Sequence, residues 1–260
     1  MRVAPKKALG QHFLVDRNLL DVIGRLARLH EDDVVLEIGP GLGILTRYLA
    51  DRVSYVHTVE IDRSLEAVLG EALAGCSNVR VHWGDALRLD LGALDPPPAK
   101  LVANLPYNVA TPLVAETIAG LPPIASWCVM VQREVAERFF ASPSTKAYSA
   151  VSVLVQLATR RTGFHAVSRH VFQPPPRVDS ALVAFERVGS APELAPLRPV
   201  VEAAFAHRRK TLANSLALAG VARRDEGVAA LAAIGRDASV RAEALAPSEF
   251  VALVEALRAC

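Results

Sequence analysis

Val34-Val-Leu-Glu-Ile-Gly-Pro-Gly-Leu-Gly43 is the stretch on which the fold turns. Val34 to Leu36 read as a short apolar strand, and Gly39, Gly41 and Gly43 then break it into a turn that opens a helix. A strand, a glycine turn and a helix in that order predict the first crossover of an α/β sheet. The alternation continues in both directions. Upstream, Asp16 precedes Leu19, Leu20, Ile23, Leu26 and Leu29 at helical spacing and can cap their helix. Downstream, strands at Tyr55–Val59, Val79–Val81, Leu101–Ala103 and Trp127–Val131 alternate with helical stretches at about 43–51, 63–74, 110–119 and 133–140. Val151–Leu157 and Ala181–Phe185 are expected as two more strands closing one edge. The expectation is a mainly parallel seven-stranded sheet with helices on both faces. From about 193 the chain turns rich in Ala, Leu and Arg with helical periodicity and turns at Gly220 and Gly235. Residues 1–190 are therefore expected to form the α/β domain and residues 191–260 a small all-helical one.

The composition bounds what such a fold serves. With 260 residues and 52% hydrophobic content the chain can bury a sizeable core. The N-terminus lacks the apolar run of a signal peptide and no segment reaches transmembrane length without charge, so a cytoplasmic protein is expected. Cys76, Cys128 and Cys260 are far apart and form no Cys-x-x-Cys pair, so neither a disulfide framework nor a metal site is expected. A net charge of +2 does not by itself demand nucleic acid.

The strand ends are where the sequence becomes polar. The glycine turn lets a ligand approach the backbone, and Glu60, about 20 residues beyond Gly39, suits both hydroxyls of a ribose. Asp85, in Gly84-Asp85-Ala86, can accept from an adenine amino group. A dinucleotide fingerprint needs a small residue where this chain has Ile44, which weakens a pyrophosphate reading. The Gly-x-Gly-x-Gly turn with Glu37 before it is instead the variant found in class I methyltransferases, whose S-adenosylmethionine has no phosphates. Glu60 suits either cofactor. Taken singly, the glycines are also a structural turn and the acids also loop caps. Three such features at successive strand ends point to a ligand, because open α/β sheets bind ligands there.

The fourth strand ends in Asn104-Leu105-Pro106-Tyr107, an amide, a proline and an aromatic that propagate a sheet poorly. An adenine amine is a weak nucleophile that must be oriented against an electrophilic methyl. The Asn104 side-chain oxygen and the Leu105 carbonyl, stiffened by Pro106, can accept from that amine while Tyr107 stacks on the base. No general base is required, since the methylated amine sheds its proton afterwards, and the base must be flipped out or presented in a loop. The plainer alternative is a strand-to-helix turn with Asn104 as a cap.

Gly10-Gln-His-Phe-Leu14, Glu37-Ile-Gly-Pro-Gly41, Asn104-Leu-Pro-Tyr-Asn108, Gln132-Arg-Glu-Val-Ala-Glu-Arg138, Lys146-Ala-Tyr148, Pro174-Pro-Pro-Arg-Val-Asp-Ser180 and Arg208-Arg-Lys-Thr-Leu212 with Asn214-Ser-Leu216 occur in that order. With this ordered set the chain resembles, end to end, the KsgA/RsmA family of small-subunit ribosomal RNA adenine dimethyltransferases. The resemblance implies a Rossmann-like class I methyltransferase fold. It also implies transfer of two methyls from S-adenosylmethionine to each of two adjacent adenines in the 3′-terminal hairpin of small-subunit rRNA. Carried over, the donor contacts fall on His12, Leu14, Gly39, Gly41, Glu60, Ile61, Asp85, Ala86 and Asn104, with the N-terminal tail folded over the cofactor. His12 stands where the family often has Asn, and Ser149 where it often has Gly. Phe172 matches an aromatic expected to contact the base opposite Tyr107. Lys6 and Lys7 in the tail, and Arg208, Arg209 and Lys210 opening a helix, are expected at RNA phosphates, and Arg160 and Arg161 are weaker candidates. The expected partner is rRNA in an immature 30S-type particle, met by a monomer.

Two alternatives come from other classes. A large-subunit rRNA adenine dimethyltransferase of the macrolide-resistance type shares the fold and a similar grip, but the Arg-Arg-Lys-Thr-Leu-x-Asn-Ser-Leu segment argues against it. A non-catalytic assembly or RNA-binding factor has no need of Glu60, Asp85 and Asn104-Leu-Pro-Tyr107. Zinc-dependent base deamination is excluded because the chain has no Pro-Cys-x-x-Cys motif.

Overall fold

The computed structural model describes residues 5–6 and 9–259. Two compact units emerge, one of Met1–Ala136 with Arg161–Arg187 and one of Glu137–Arg160 with Val188–Cys260. The first unit carries nearly the whole sheet. Its strands are β2 (Val34–Ile38), β3 (Tyr55–Glu60), β4 (Val79–Trp83), β5 (Lys100–Asn104), β6 (Ser126–Gln132), β7 (Thr159–Val167) and β9 (Ser180–Arg187), in the order β4-β3-β2-β5-β6-β9-β7. The first five in that order pair in parallel, and β9 runs antiparallel to β6 with Trp127 opposite Phe185. A separate two-stranded ribbon joins β1 (Phe13–Leu14) to β8 (Phe172–Gln173).

Side chains alternate across this sheet as a pleat requires. Val35, Val56, Val102, Cys128, Met130, Leu182 and Ala184 share a core with α1 (Asn18–Ala27) and α2 (Ile44–Ala50). On the opposite face Trp127 stacks on Phe185 at 5.4 Å, and its indole N–H donates to Thr117 of α4 (Ala110–Gly120) at 3.1 Å. α1 begins as expected, with the Asp16 carboxylate accepting from the Asn18 N–H at 2.8 Å, and ends where Arg28 turns left-handed at φ 48°. The chain reverses its direction of travel across the sheet between β2 and β5, so α2 and α4 leave toward opposite faces. That is where an open α/β sheet has its crevice.

One expected strand is a helix. Residues 151–157 lie in α6 (Ala150–Ala158), started by a capping box in which the Ser149 N–H donates to Ser152 Oγ at 3.1 Å. The apolar run is buried almost all round, so its periodicity does not separate strand from helix. The edge strand is the next segment, β7, whose Arg160, Arg161 and Thr162 are exposed and hide the strand pattern. The domain boundary moves with it, because Glu137–Arg160 joins the C-terminal helices and not the sheet.

The second unit holds α6, α7 (Leu194–Ala206), α8 (Leu212–Leu218), α9 (Arg224–Ala233) and α10 (Pro247–Ala259). Tyr148 is fully buried there, edge-on to Phe205 at 5.8 Å, and its hydroxyl donates to the Leu245 carbonyl at 2.9 Å. Phe205 in turn stacks on Phe250. Among the described residues no helix is long and apolar enough to cross a membrane.

β2 carries an acid into this core. Glu37 is 1% exposed, and burial pushes its carboxyl up to about 7, a rise that the nearby Thr46 and Thr58 hydroxyls only partly offset. Glu37 Oε2 and both hydroxyl oxygens lie outside hydrogen-bond geometry among the described residues. The unfolded carboxyl ionises near 4.5 and the folded one near 7, so unfolding releases a proton between them and stability falls as pH rises across that window. Glu37→Gln removes this penalty. Urea unfolding should show the variant gaining on the parent between pH 4.5 and 8 by roughly 1–3 kcal/mol; a difference independent of pH would show that Glu37 does not titrate there.

Candidate functional site

The glycine turn after β2 is held down by the Gly39 N–H, which donates to the Val59 carbonyl of β3 at 2.9 Å. Gly39 (φ +78°) and Gly41 (φ +56°) sit in the left-handed region, where side chains are disfavoured. At Gly41 a Cβ would also meet the Phe13 ring at 3.0 Å. Above this turn a cleft opens, walled by residues 9–14, the glycine turn, Glu60 and Asn104 to Tyr107. A second cleft continues along the strand ends past Ile61 to Asp85 and Ala86. The two share Leu9, Gly39, Glu60, Ile61 and Pro106, so they form one trough across β5, β2, β3 and β4.

Its centre is acidic but ordered. Glu60, 5% exposed, accepts from the Gly41 N–H at 3.2 Å and the Asp62 N–H at 2.8 Å. Burial raises its carboxyl, and these two backbone bonds pull it back. Asp62 goes the other way. Burial acts to raise it, yet bonds from Lys6, Ser64 and Gln11 together hold it well below the usual carboxylate range. Asp85 is less enclosed, accepting from the Leu87 N–H at 3.0 Å and pairing with Arg88 at 3.5 Å. Ile61 is 51% exposed on the lip between the two clefts, an apolar surface suited to a flat ring.

At the other end of the trough Asn104 Nδ2 donates to the His12 carbonyl at 3.2 Å. That leaves Oδ1 as its acceptor, with no partner among the described residues. The Leu105 N–H is tied to the Met130 carbonyl at 3.0 Å, which fixes the turn, and Pro106 supplies no donor of its own. The Tyr107 hydroxyl shares a short hydrogen bond with Ser180, and burial raises its phenol, so it is neutral at physiological pH. The Tyr107 ring stacks on His12 at 5.5 Å, and His12 Nδ1–H donates to the Pro174 carbonyl at 2.8 Å.

Most of the residues expected at the cofactor and the base converge here: His12, Leu14, Gly39, Gly41, Glu60, Ile61, Asn104, Leu105, Pro106 and Tyr107 line the first cleft, and Asp85 and Ala86 the second. Phe172 does not. It is 3% exposed, paired with Leu14 and packed in the core with Leu19 and Leu20, so the ring that faces Tyr107 is His12. Two of the basic residues expected at RNA phosphates have partners within the chain. Lys6 Nζ is held by Asp62 at 2.6 Å and Ser64 at 2.9 Å, and Arg208 is held by the Lys146 and Tyr148 carbonyls and Glu243. Arg208, Arg209 and Lys210 also lie in the turn before α8 and do not open the helix; Arg209 and Lys210 are exposed there. Lys7 lies outside the described residues. Sequence reasoning passed over Asp62, Gln11 and Ser180, although Gln11 and Ser180 stand inside the quoted motifs.

The trough fits an adenosyl sulfonium ligand. A carboxylate anchored by backbone N–H groups stands at Glu60, and the apolar Ile61 lip and Asp85 follow. No group of three or more His, Cys, Asp or Glu side chains among the described residues is arranged to hold a metal ion.

Comparison with known proteins agrees with the geometry. The family model described as "Ribosomal RNA adenine dimethylase" matches residues 3–257. A protein of Rubrobacter xylanophilus named ribosomal RNA small subunit methyltransferase A is 50% identical, over 96% of this chain and 94% of its own length. Among solved structures, a dimethyladenosine transferase from Plasmodium falciparum superposes with a TM-score of 0.78 at 26% identity, covering 93% of this chain and 96% of that one. The 23S rRNA methyltransferase ErmE gives 0.67 at 30% identity, covering 95% and 99%. With the match spanning nearly its whole length, this chain belongs to the ribosomal RNA adenine dimethylase family, and it is an S-adenosylmethionine-dependent rRNA adenine dimethyltransferase.

Proposed function

We propose that this chain dimethylates the exocyclic N6 amines of two adjacent adenines in the 3′-terminal hairpin of small-subunit rRNA, acting as a cytoplasmic monomer on an immature 30S-type particle. The observation that carries this reading is the single trough running from Asp85 through Glu60 to Asn104-Leu-Pro-Tyr107. The choice of the small subunit rests on the relative named for it, which at 50% identity stands well above the 30% of the 23S enzyme. The helical unit, with exposed Arg209 and Lys210, is assigned to rRNA phosphates.

S-adenosylmethionine, when bound, supplies an electrophilic sulfonium methyl and leaves as S-adenosylhomocysteine; no metal takes part. Glu60 would hold the ribose, Asp85 and Ala86 the adenine, and Gly39, Gly41, His12 and Leu14 the remainder. Asn104 Oδ1 and the Leu105 carbonyl accept from the target amine and aim its lone pair. Asn104 cannot rotate freely to do otherwise, because its Nδ2 is engaged by the His12 carbonyl. Tyr107, pinned by Ser180, offers a ring to a flipped base, and its neutral phenol is no base for the amine proton. That proton leaves to solvent once methylation has acidified the amine. Orientation in a prebuilt site is therefore the main contribution of the protein.

Asn104→Ala should lower kcat by about 100-fold or more while raising the donor Kd less than about fivefold, and near-parental turnover would remove Asn104 from the grip. Glu60→Ala should raise the donor Kd by roughly 10- to 100-fold in calorimetry; an unchanged Kd would move the ribose elsewhere. Arg209→Glu with Lys210→Glu should weaken binding to small-subunit particles and flatten the log–log salt slope by about 1.5, whereas an unchanged slope would leave both as solvated surface. Labelled donor offered to immature small and large subunits separately, with the modified base mapped, tests the choice of substrate.

A further inference from the structure

Residues 9–14 all line the first cleft and cross it as a strap from the Glu60 side to the Asn104 side. Its two ends are fastened differently. On the Asn104 side Phe13 and Leu14 are buried and form β1 against β8, and the His12 carbonyl is held by Asn104. On the Glu60 side the fastening is wholly polar and converges on Asp62, which is 4% exposed. Asp62 Oδ2 accepts from Gln11 Nε2 at 2.9 Å, and Oδ1 accepts from Lys6 Nζ at 2.6 Å and from Ser64. Gln11 Oε1 in turn accepts from the Lys6 backbone N–H at 2.8 Å, which closes a ring of bonds between strap and sheet. The Asp62 N–H meanwhile donates to Glu60 Oε1.

The two fastenings differ in how they open. Releasing the Asn104 side exposes two apolar side chains and breaks a strand pair, whereas releasing the Glu60 side returns an ammonium and an amide to water. The Lys6 side chain is already half exposed. Gly10, at φ +63°, lies between the Lys6 contact and His12 and marks where the strap bends.

We infer that Asp62, Gln11 and Lys6 form a latch that holds the N-terminal strap over the bound donor, opening at this end for exchange. These are positioning residues, not catalytic ones, since they touch the strap and Glu60 and not the reacting atoms. Through the Asp62 N–H the closed latch also orients the Glu60 carboxylate. Asp62 makes the arrangement stiff, because its remaining bonds to Ser64 keep the carboxylate in place when the strap leaves. The inference rests on reading this cleft as the donor site.

The test follows release of tritiated S-adenosylmethionine from the full chain in a chase without RNA, so that any role of Lys6 at phosphates is silent. Lys6→Met and Gln11→Ala should each release donor about tenfold faster with an unchanged melting temperature, and Lys6→Arg should return the rate to within about twofold of the parent. Release within about twofold of the parent in both Lys6→Met and Gln11→Ala would overturn the latch, whatever Asp62→Asn does to folding. Glu60→Ala is the control in the same assay. If it leaves donor binding unchanged, the donor lies elsewhere and the reading of the cleft fails; if it weakens binding while the latch variants do not speed release, only the latch fails.

Discussion

The parallel pairing of β2 with β3 on one side and β5 on the other is the constraint on which the rest of the molecule depends. Because the strand order reverses there, the helices that follow β2 and β5 pass to opposite faces and leave the strand ends uncovered. Backbone groups at those ends have to be satisfied by something other than a continuing ladder. The Gly39 N–H reaches across to Val59, the Leu105 N–H reaches across to Met130, and the Gly41 and Asp62 N–H groups turn to the Glu60 carboxylate. The site is thus assembled from the same bonds that finish the sheet.

Three acids within this small region meet different fates because their surroundings differ. Glu37 leaves one oxygen without a partner among the described residues and is driven toward the neutral form by burial. Glu60 is nearly as enclosed, yet two backbone donors moderate its rise. Asp62 has an ammonium, a hydroxyl and an amide around it and remains ionised far into acid. Carboxylates this close would repel if all were charged and unpaired. Their graded environments place firm negative charge at Asp62, where it holds the strap, and leave Glu60 with lone pairs for a ligand's hydroxyls.

Much of the fold was legible because its signals are local. The parallel strands are short apolar runs ending at glycine, an acid or an amide, and Asp16 stands one turn before a leucine stripe. Legibility failed where burial and sequence pattern part company. Residues 151–157 are buried on almost every side, so a helix packed among other helices reads like a buried strand. β7 is an edge strand with arginines on its exposed positions, which erases the alternation that marks a half-buried strand. The domain boundary followed those two misreadings.

Local sequence was enough for the order of the elements as far as β6, the glycines that need positive φ, and the residue types gathered at the strand ends: Glu60, Asp85 and Asn104-Leu-Pro-Tyr107. Those properties belong to single residues and short spacings, so they survive without knowledge of distant neighbours. Which side chains are already engaged depends on the packed chain. Lys6 and Arg208 carry charges that a sequence reads as available to phosphate, but Asp62 takes one and backbone carbonyls take the other. Phe172 is an aromatic beside a loop in sequence and a core residue in space, and His12, 95 positions from Tyr107 in the chain, is the ring beside it. Such pairings depend on contacts between segments far apart in the chain, and no local pattern records them.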